Sequence, residues 1–330
     1  MMTFSNQTKM FNMLHSALEW PLIEAGLRSR VFDVLSTPHT AKQVASEFNW
    51  QLNQTTLYLD ALTSLSVIRK QQMVYLIAPQ YSELLISNQP KSMERTLLHL
   101  SAIKMTTAAQ ILSMLNSDEP PSQAVRFDDA NFWQQSTANL RSFHRSFASD
   151  YYAALLQNQP FWPHVNSLLE IGAGSDELAQ VLTRSNPKLD YHIFDLPQVV
   201  EQLSLQFNDN GQIIFHSGDY NHAPLPQGYD LLFASMSLYY ANDLSKLMIQ
   251  AKQAINDGGC FVSIHEGLTE QRTQPRHHVI GRFIPAMRGN DVSFQHGEIA
   301  QHMMKVGFKQ VRSQSITTPF GPMELDIAFK

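Results

Sequence analysis

The chain has 330 residues, room for about two domains with cores of their own, and a formal charge of −5 from 24 Lys and Arg against 29 Asp and Glu. That balance leaves no electrostatic footprint for nucleic acid or an anionic membrane, so small molecules and other proteins are the expected partners. A single cysteine, Cys260, excludes an internal disulfide framework and a cysteine-based zinc ribbon, and it fits a reducing compartment.

Met1 to Trp20 carries a lone Lys9 and no unbroken apolar core, so no secretory leader is expected there. No apolar run approaches the ~18 residues that cross a bilayer, and the expectation is a soluble, cytoplasmic protein. From Thr8 to about Ile86 the pattern is short helices and then a hairpin. Thr40-Ala41-Lys42-Gln43 has capping-box spacing and opens a helix whose Val44, Ala45 and Phe48 share a face. Asn53 is placed to cap the next helix, with Leu57, Ala61, Leu62 and Leu65 as its inward stripe. Two β-prone runs, Val67 to Arg69 and Met73 to Ile77, flank a polar Lys70-Gln71-Gln72 turn. Helix, helix, hairpin is the outline of a winged helix. Its candidate recognition helix, Gln54 to Leu65, offers Asp60 and no Lys or Arg, which argues against DNA and for dimerisation or docking.

Residues 91 to 160 read as mainly helical, broken at Asp118-Glu119-Pro120-Pro121-Ser122. The aromatics here, among them Phe132, Trp133, Phe143, Phe147, Tyr151 and Tyr152, suit packing between domains, with Phe143 and Phe147 as candidates for lining a ligand pocket. From Asn166 strands alternate with helices, the pattern of a mostly parallel sheet covered on both faces. Strands are expected at Ser167 to Ile171, Tyr191 to Phe194, Ile213 to Phe215, Leu231 to Phe233, Phe261 to Ile264, Gln310 to Arg312 and Glu324 to Phe329. Helices are expected at Glu177 to Arg184, Gln198 to Phe207 and Ile299 to Val306, and another over Leu244 to Ile255 ended by Gly258-Gly259.

The central motif is Leu168-Leu169-Glu170-Ile171-Gly172-Ala173-Gly174-Ser175-Asp176, a strand running into a glycine turn and then a helix. Asp195, near the end of the second strand, can take both hydroxyls of a ribose. A dinucleotide and a sulfonium cofactor both fit such a framework. The dinucleotide wants a third Gly where Glu177 stands, at the helix start that would meet the diphosphate, and a carboxylate there has the wrong charge. A cationic, phosphate-free cofactor such as S-adenosylmethionine suits a site rich in carboxylates.

With these residues in place the chain resembles the small-molecule O-methyltransferases that use S-adenosylmethionine, of plant caffeate type and bacterial natural-product type. Glu170-Ile171-Gly172-Ala173-Gly174 is similar to the first cofactor motif, and Asp195-Leu196-Pro197 to the family's Asp-Leu-Pro. Gly218-Asp219-Tyr220, Gly258-Gly259 with Glu266, and Val306-Gly307-Phe308 follow in the family's order. The resemblance implies that Glu170 and the Gly172 and Gly174 backbone hold the methionine part of the cofactor. It also gives the ribose to Asp195 with Leu196, and the adenine to Asp219 with Tyr220. Ser235, at the end of the fourth strand, is a further cofactor residue. A homodimer through the N-terminal segment is implied as well.

One departure bears on the chemistry. The family's catalytic base is a His ten positions along from the Asp that opens the fourth strand, and from Asp230 that position is Tyr239. A Tyr of ordinary pKa near 10 abstracts protons poorly at pH 7. It can still position a nucleophile, and alignment with water exclusion supplies much of a methyl displacement. Glu266 matches an acid that flanks the family's His. His144, His265, His277, His278 and His296 are possible substitutes for it, with His277 and Met287 beside or within the stretch expected to cap the substrate pocket. His265, Glu266 and His277 have no recognised metal-ligand spacing, so no metal is expected. Asp176 replaces the motif's last Gly and is placed to cap the following helix.

The expected architecture is α/β: a class I methyltransferase, Rossmann-like doubly wound seven-stranded sheet (161–330), a helical connector covering the substrate pocket (101–160), and a winged-helix dimerisation domain (1–100). The expected function is S-adenosylmethionine-dependent methylation of a small, partly apolar acceptor, on oxygen by family or on sulfur, nitrogen or carbon given Tyr239. The alternative is a dimer that has lost O-methylation and binds ligands, regulates, or runs another reaction with the same cofactor.

Overall fold

The computed structural model describes residues 5–116, 130–206 and 211–330, so the expected break at Asp118 to Ser122 lies outside the described residues. The chain divides into two compact units, Met1–His99 and Leu100–Lys330.

The N-terminal unit opens with α1 (Ser5–Ser29), one long helix containing Pro21 where short helices were expected. It continues through α2 (Val31–Val34), β1 (His39–Thr40), α3 (Ala41–Phe48), α4 (Leu52–Ser64), β2 (Ile68–Gln71), β3 (Val74–Ile77) and α5 (Pro79–Leu85). Thr40 and Gln43 form the expected capping box of α3. Helix α4 starts after Gln51, so Asn53 lies inside it and caps nothing. Thr55, Leu59 and Leu62 face inward, and Leu57 is 71% exposed. Leu57 and Leu59 are two positions apart, about 200° around a helix, so only one can face the core. The hairpin turn is tighter than expected: Gln72 and Met73 take left-handed φ values of 49° and 69°, while Lys70 and Gln71 stay paired in β2. The strands form an antiparallel sheet in the order β1-β3-β2, and Phe32, Val44, Leu59, Leu62, Ile68 and Tyr75 fill the core.

Helix α6 (Glu94–Lys104) leads into the C-terminal unit, followed by α7 (Ala108–Leu115) and α8 (Ala130–Phe143). Helix α8 runs into a π-helical turn, His144–Ala148, and α9 (Ser149–Gln157). Then come β4 (Ser167–Ile171), α10 (Glu177–Ser185), β5 (Asp190–Asp195), α11 (Pro197–Gln206), β6 (Ile213–Ser217), β7 (Tyr229–Ser235), α12 (Leu244–Ala254) and β8 (Ile255–His265). The chain ends through β9 (Gly267–Leu268), α13 (Arg276–Gly281), α14 (Phe283–Met287), β10 (Phe294–Gln295), α15 (Glu298–Lys305), β11 (Gln310–Thr318) and β12 (Gly321–Phe329).

Seven strands form one mixed sheet in the order β11-β12-β8-β7-β4-β5-β6, the architecture of a class I methyltransferase. Strands β8, β7, β4, β5 and β6 run parallel, and β12 is antiparallel to both its neighbours. Alternate residues feed two cores, Leu168, Phe233 and Val262 on one face and Leu169, Leu232 and Phe261 on the other. Gly258 and Gly259 do not end α12 as expected; the helix stops at Ala254 because Ile255 already pairs with Tyr229. From β4 the chain winds outward through β5 and β6, then returns to β7 on the other side. That reversal opens a crevice beyond the carboxyl ends of β4 and its neighbours.

Candidate active site

The crevice is lined by buried acids. Glu170 sits near the end of β4, 4% exposed, and its Oε2 accepts a 2.6 Å hydrogen bond from Tyr191 Oη. Burial raises its pKa to about 8 despite that bond. Asp195 ends β5 at 8% exposure; its Oδ2 accepts from Gly174 N at 2.8 Å and its Oδ1 from Leu196 N at 2.7 Å. Burial lifts it to about 6, against the pull of those two amides. Neither carboxylate is paired with a cation among the described residues. Gly172 and Gly174 take φ values of 67° and 63°, and the space around them is filled: a Cβ would come within 2.6 Å of Ser237 and of Leu140 respectively.

Leu140 belongs to a clamp that the sequence did not reveal. Arg141, at the end of α8, donates from Nη2 to Asp176 Oδ1 at 2.6 Å, and Arg145 in the π turn pairs with Glu177. Asp176 occupies the cap position of α10 without capping it; its carboxylate is taken by Arg141 and by Gln180 Nε2 at 2.7 Å. His144 Nδ1 lies 2.6 Å from Ser175 Oγ, and burial lowers its pKa to about 4, so this imidazole is neutral. The helix start that would receive a diphosphate in a dinucleotide fold therefore holds two acids tied to arginines.

Asp219 and Tyr220 stand on the next edge. Asp219 Oδ1 accepts from Asn221 N at 2.9 Å, closing a local turn, and Tyr220 Oη donates to Ser237 O at 2.8 Å. Ser235 ends β7, half-buried. After it Met236 takes a left-handed φ of 51°, and a 3-10 turn, Leu238–Tyr240, delivers Tyr239. His265 organises this turn. Its Nε2 accepts from Ser237 N and Leu238 N, both at 3.0 Å, which places the proton on Nδ1 beside Ser263 Oγ at 3.0 Å. Burial lowers its pKa to about 3, leaving a neutral structural imidazole. The Tyr239 ring packs among Tyr240 at 4.8 Å, His265 at 5.8 Å and Phe294 at 6.2 Å between centroids, and burial holds its phenol well above 10.

Glu266 follows β8 and pairs through Oε1 with His278 Nδ1 at 3.1 Å, while His278 Nε2 bonds the Pro322 carbonyl. With an acceptor at each nitrogen, His278 favours its charged form, and its pKa is raised despite burial. His296 pairs with Glu324. Phe143 and Phe147 meet at 5.0 Å and share a neighbour that sequence reasoning missed, Phe320, at 5.5 and 5.8 Å. His277 is exposed and lies against Gly321, the residue after Phe320. The β11–β12 turn thus joins the aromatic pair to the histidine pair, which no local pattern signals. Met287 closes α14, half-buried.

The profile of an O-methyltransferase domain matches residues 132–309. An S-adenosyl-L-methionine-dependent methyl transferase, PigF, from Serratia sp. is 23% identical over 96% of this chain and 95% of its own length. Acetylserotonin O-methyltransferase of Mus musculus is 22% identical over 95% of this chain and 87% of its own. Among solved structures, human N-acetylserotonin methyltransferase in complex with SAM superposes with a TM-score of 0.79 at 18% identity, covering 100% of this chain and 99% of that one.

Proposed function

The chain belongs to the O-methyltransferase family, and from that premise we propose how its residues divide the work of an S-adenosylmethionine-dependent transfer to a small molecule. The carrying observation is the pair of buried carboxylates, Glu170 and Asp195, at the ends of adjacent parallel strands with no cation paired to either among the described residues. Such a cradle favours a cationic ligand carrying a ribose. Glu170 with the Gly172 and Gly174 backbone would hold the methionine end. Asp195 and Leu196 would take the ribose, Asp219 and Tyr220 the adenine, and Ser235 would line the junction. When bound, the cofactor supplies a methyl group activated for displacement.

The chain's own residues then align the acceptor and exclude water. Tyr239, with its phenol held protonated, positions the nucleophile and does not deprotonate it. Glu266 is engaged with His278 and sets the acceptor's orientation through that pair. An acceptor that ionises unaided suits this arrangement: an acidic phenol or enol, with thiols and amines as competing outcomes. Phe143 and Phe147 would wall its apolar part, covered by His277 and Met287. Residues 161–330 are the cofactor domain in this reading, 101–160 the connector over the acceptor pocket, and 1–100 a winged-helix dimerisation domain of a cytoplasmic homodimer. Support for self-association is the apolar surface of α1, where Met10, Phe11, Leu14 and Leu18 are 65, 62, 68 and 61% exposed. Isothermal titration with S-adenosylmethionine and its demethylated product tests the central reading, and absence of binding by both at millimolar concentration would sink it. Light scattering that returned a monomer would remove the dimer.

A further inference from the structure

Helix α9 begins where the π turn ends, and the turn shifts the backbone register so that Ser149 N bonds the His144 carbonyl, five residues back. Such turns concentrate at functional sites because they re-aim the helix that follows. Here the first turn of α9 presents two buried hydroxyls, Ser149 and Tyr152, that meet no partner at full hydrogen-bonding geometry among the described residues; the Tyr152 phenol has only a marginal bond to the Ser235 side chain. Tyr152 is 3% exposed, and a buried hydroxyl so poorly satisfied is costly, which leaves its remaining lone pair open to a ligand.

The sheet shows where that hydroxyl stands. The Tyr152 ring packs on Phe233 of β7 at 5.7 Å, and Phe233 is the register partner of Glu170. Ser235 follows Phe233 on the same face, and Tyr152 shares its core with Phe233 and Ile264, the strand residue two before Glu266. Ser235 lies beside the phenol, and the Glu170 and Glu266 carboxylates both act on it, raising a pKa that burial has already pushed up to about 12. The group is therefore a neutral hydroxyl with carboxyl groups on either side, between the residues assigned to the cofactor and those assigned to the acceptor. As those carboxyls ionise, an anionic part of a ligand is repelled there and a cationic one is drawn in.

We propose that Tyr152 is a further contact for the transferred group, its Oη lone pairs facing the sulfonium methyl of bound S-adenosylmethionine. The inference rests on the cofactor reading above. A polarised methyl beside an oxygen makes a weak hydrogen bond, which fixes the direction of the methyl and strengthens its binding modestly.

Tyr152→Phe removes only the hydroxyl and keeps the ring on Phe233. The melting temperature of the ligand-free variant should equal or exceed that of the parent, because a poorly satisfied buried hydroxyl is gone. By isothermal titration, affinity for S-adenosylmethionine should fall about fivefold, with its demethylated product changing less than about twofold. Equal losses for the two, no loss, or a lowered melting temperature would overturn the assignment in favour of a structural hydroxyl. Should the variant not fold, the parent decides: bound methyl-13C S-adenosylmethionine should show its methyl proton shifted downfield, and an unshifted signal refutes the contact. A parent that binds neither ligand fails the cofactor reading itself, and Tyr152's role falls with it.

Discussion

On the side of the crevice proposed for the cofactor Glu170 and Asp195 belong to neighbouring parallel strands, while on the side proposed for the acceptor Tyr239 and Glu266 lie past the ends of theirs. The first pair is fixed by strand register and by short bonds from Tyr191, Gly174 and Leu196. The second pair depends on partners far away in sequence: His265 for the turn that carries Tyr239, and His278 for Glu266. In the proposed reading, cofactor chemistry common to a family sits on the rigid layer, and acceptor specificity on short turns and helices that can change without disturbing the sheet.

The comparison breaks most severely at Asp195. Asp195→Ala removes the acceptor for two main-chain amides, one of them in the glycine turn, together with the proposed ribose ligand. Affinity for S-adenosylmethionine should fall roughly 100-fold, the equivalent of about two charge-assisted hydrogen bonds. Titration calorimetry checks it, with circular dichroism to confirm that the sheet survives. An affinity within threefold of the parent would show that the turn, and not the carboxylate, makes the site.

The pH dependence sharpens the same side. Burial raises Glu170 to about 8 and Asp195 to about 6, so both hold protons in the folded chain that the unfolded chain has released. Their contribution to stability is complete below about pH 4 and is lost as pH rises through 6 and then 8. A cationic ligand prefers the ionised forms, so its affinity must rise over the same window. A carboxyl at about 8 is roughly one tenth ionised at pH 7 and about three quarters at pH 8.5, which gives an affinity gain of about eightfold. The ligand-free melting temperature should fall between those pH values while the shift caused by S-adenosylmethionine grows. Glu170→Gln should flatten both trends, and a pH-independent affinity would rule out ionised Glu170 as the ligand.

Legibility in the sequence follows the same division. The strand, glycine turn and Asp195 could be read locally, because a turn needing positive φ and an acid at a strand end leave marks within a few residues. The parallel sheet was legible from alternation alone. His265 and His278 could be named as candidates, but their roles come from contacts with residues 27 and 44 positions away. The Arg141 and Arg145 clamp was hidden for the same reason, since its acids lie 35 and 32 residues downstream. Phe320 gave no signal, being one apolar residue in a turn. Leu57 misled because its spacing to Ala61 is helical, although the core selects Leu59.

On the proposed acceptor side, Glu266→Gln removes the charge that raises the pKa of His278 while keeping the shape. His278 should then titrate at lower pH. The KM for a methylated acceptor should rise about fivefold, with S-adenosylmethionine affinity unchanged within about twofold, since the variant alters one hydrogen-bonded charge pair and leaves the strands intact. A loss confined to kcat would instead place Glu266 at the reacting atoms.

The smallest effect is expected at Tyr239, the position where a base would be most missed. Its phenol is held well above 10 by burial and by the neighbouring Tyr240 and Glu266, so it carries its proton throughout the physiological range. Tyr239→Phe keeps the ring among Tyr240, His265 and Phe294 and removes only a hydroxyl that cannot accept the acceptor's proton. Turnover should drop by less than about threefold, the scale of one modest positioning hydrogen bond, with the pH profile unmoved. If a phenol of ordinary acidity is a poor acceptor for want of a base, Tyr239→His should methylate it faster than the parent does, while acidic acceptors gain nothing. A drop of a hundredfold in Tyr239→Phe, with a pH limb lost, would identify the tyrosine as the base after all and would make the two sides of the crevice alike in having their chemistry fixed by a single strand end.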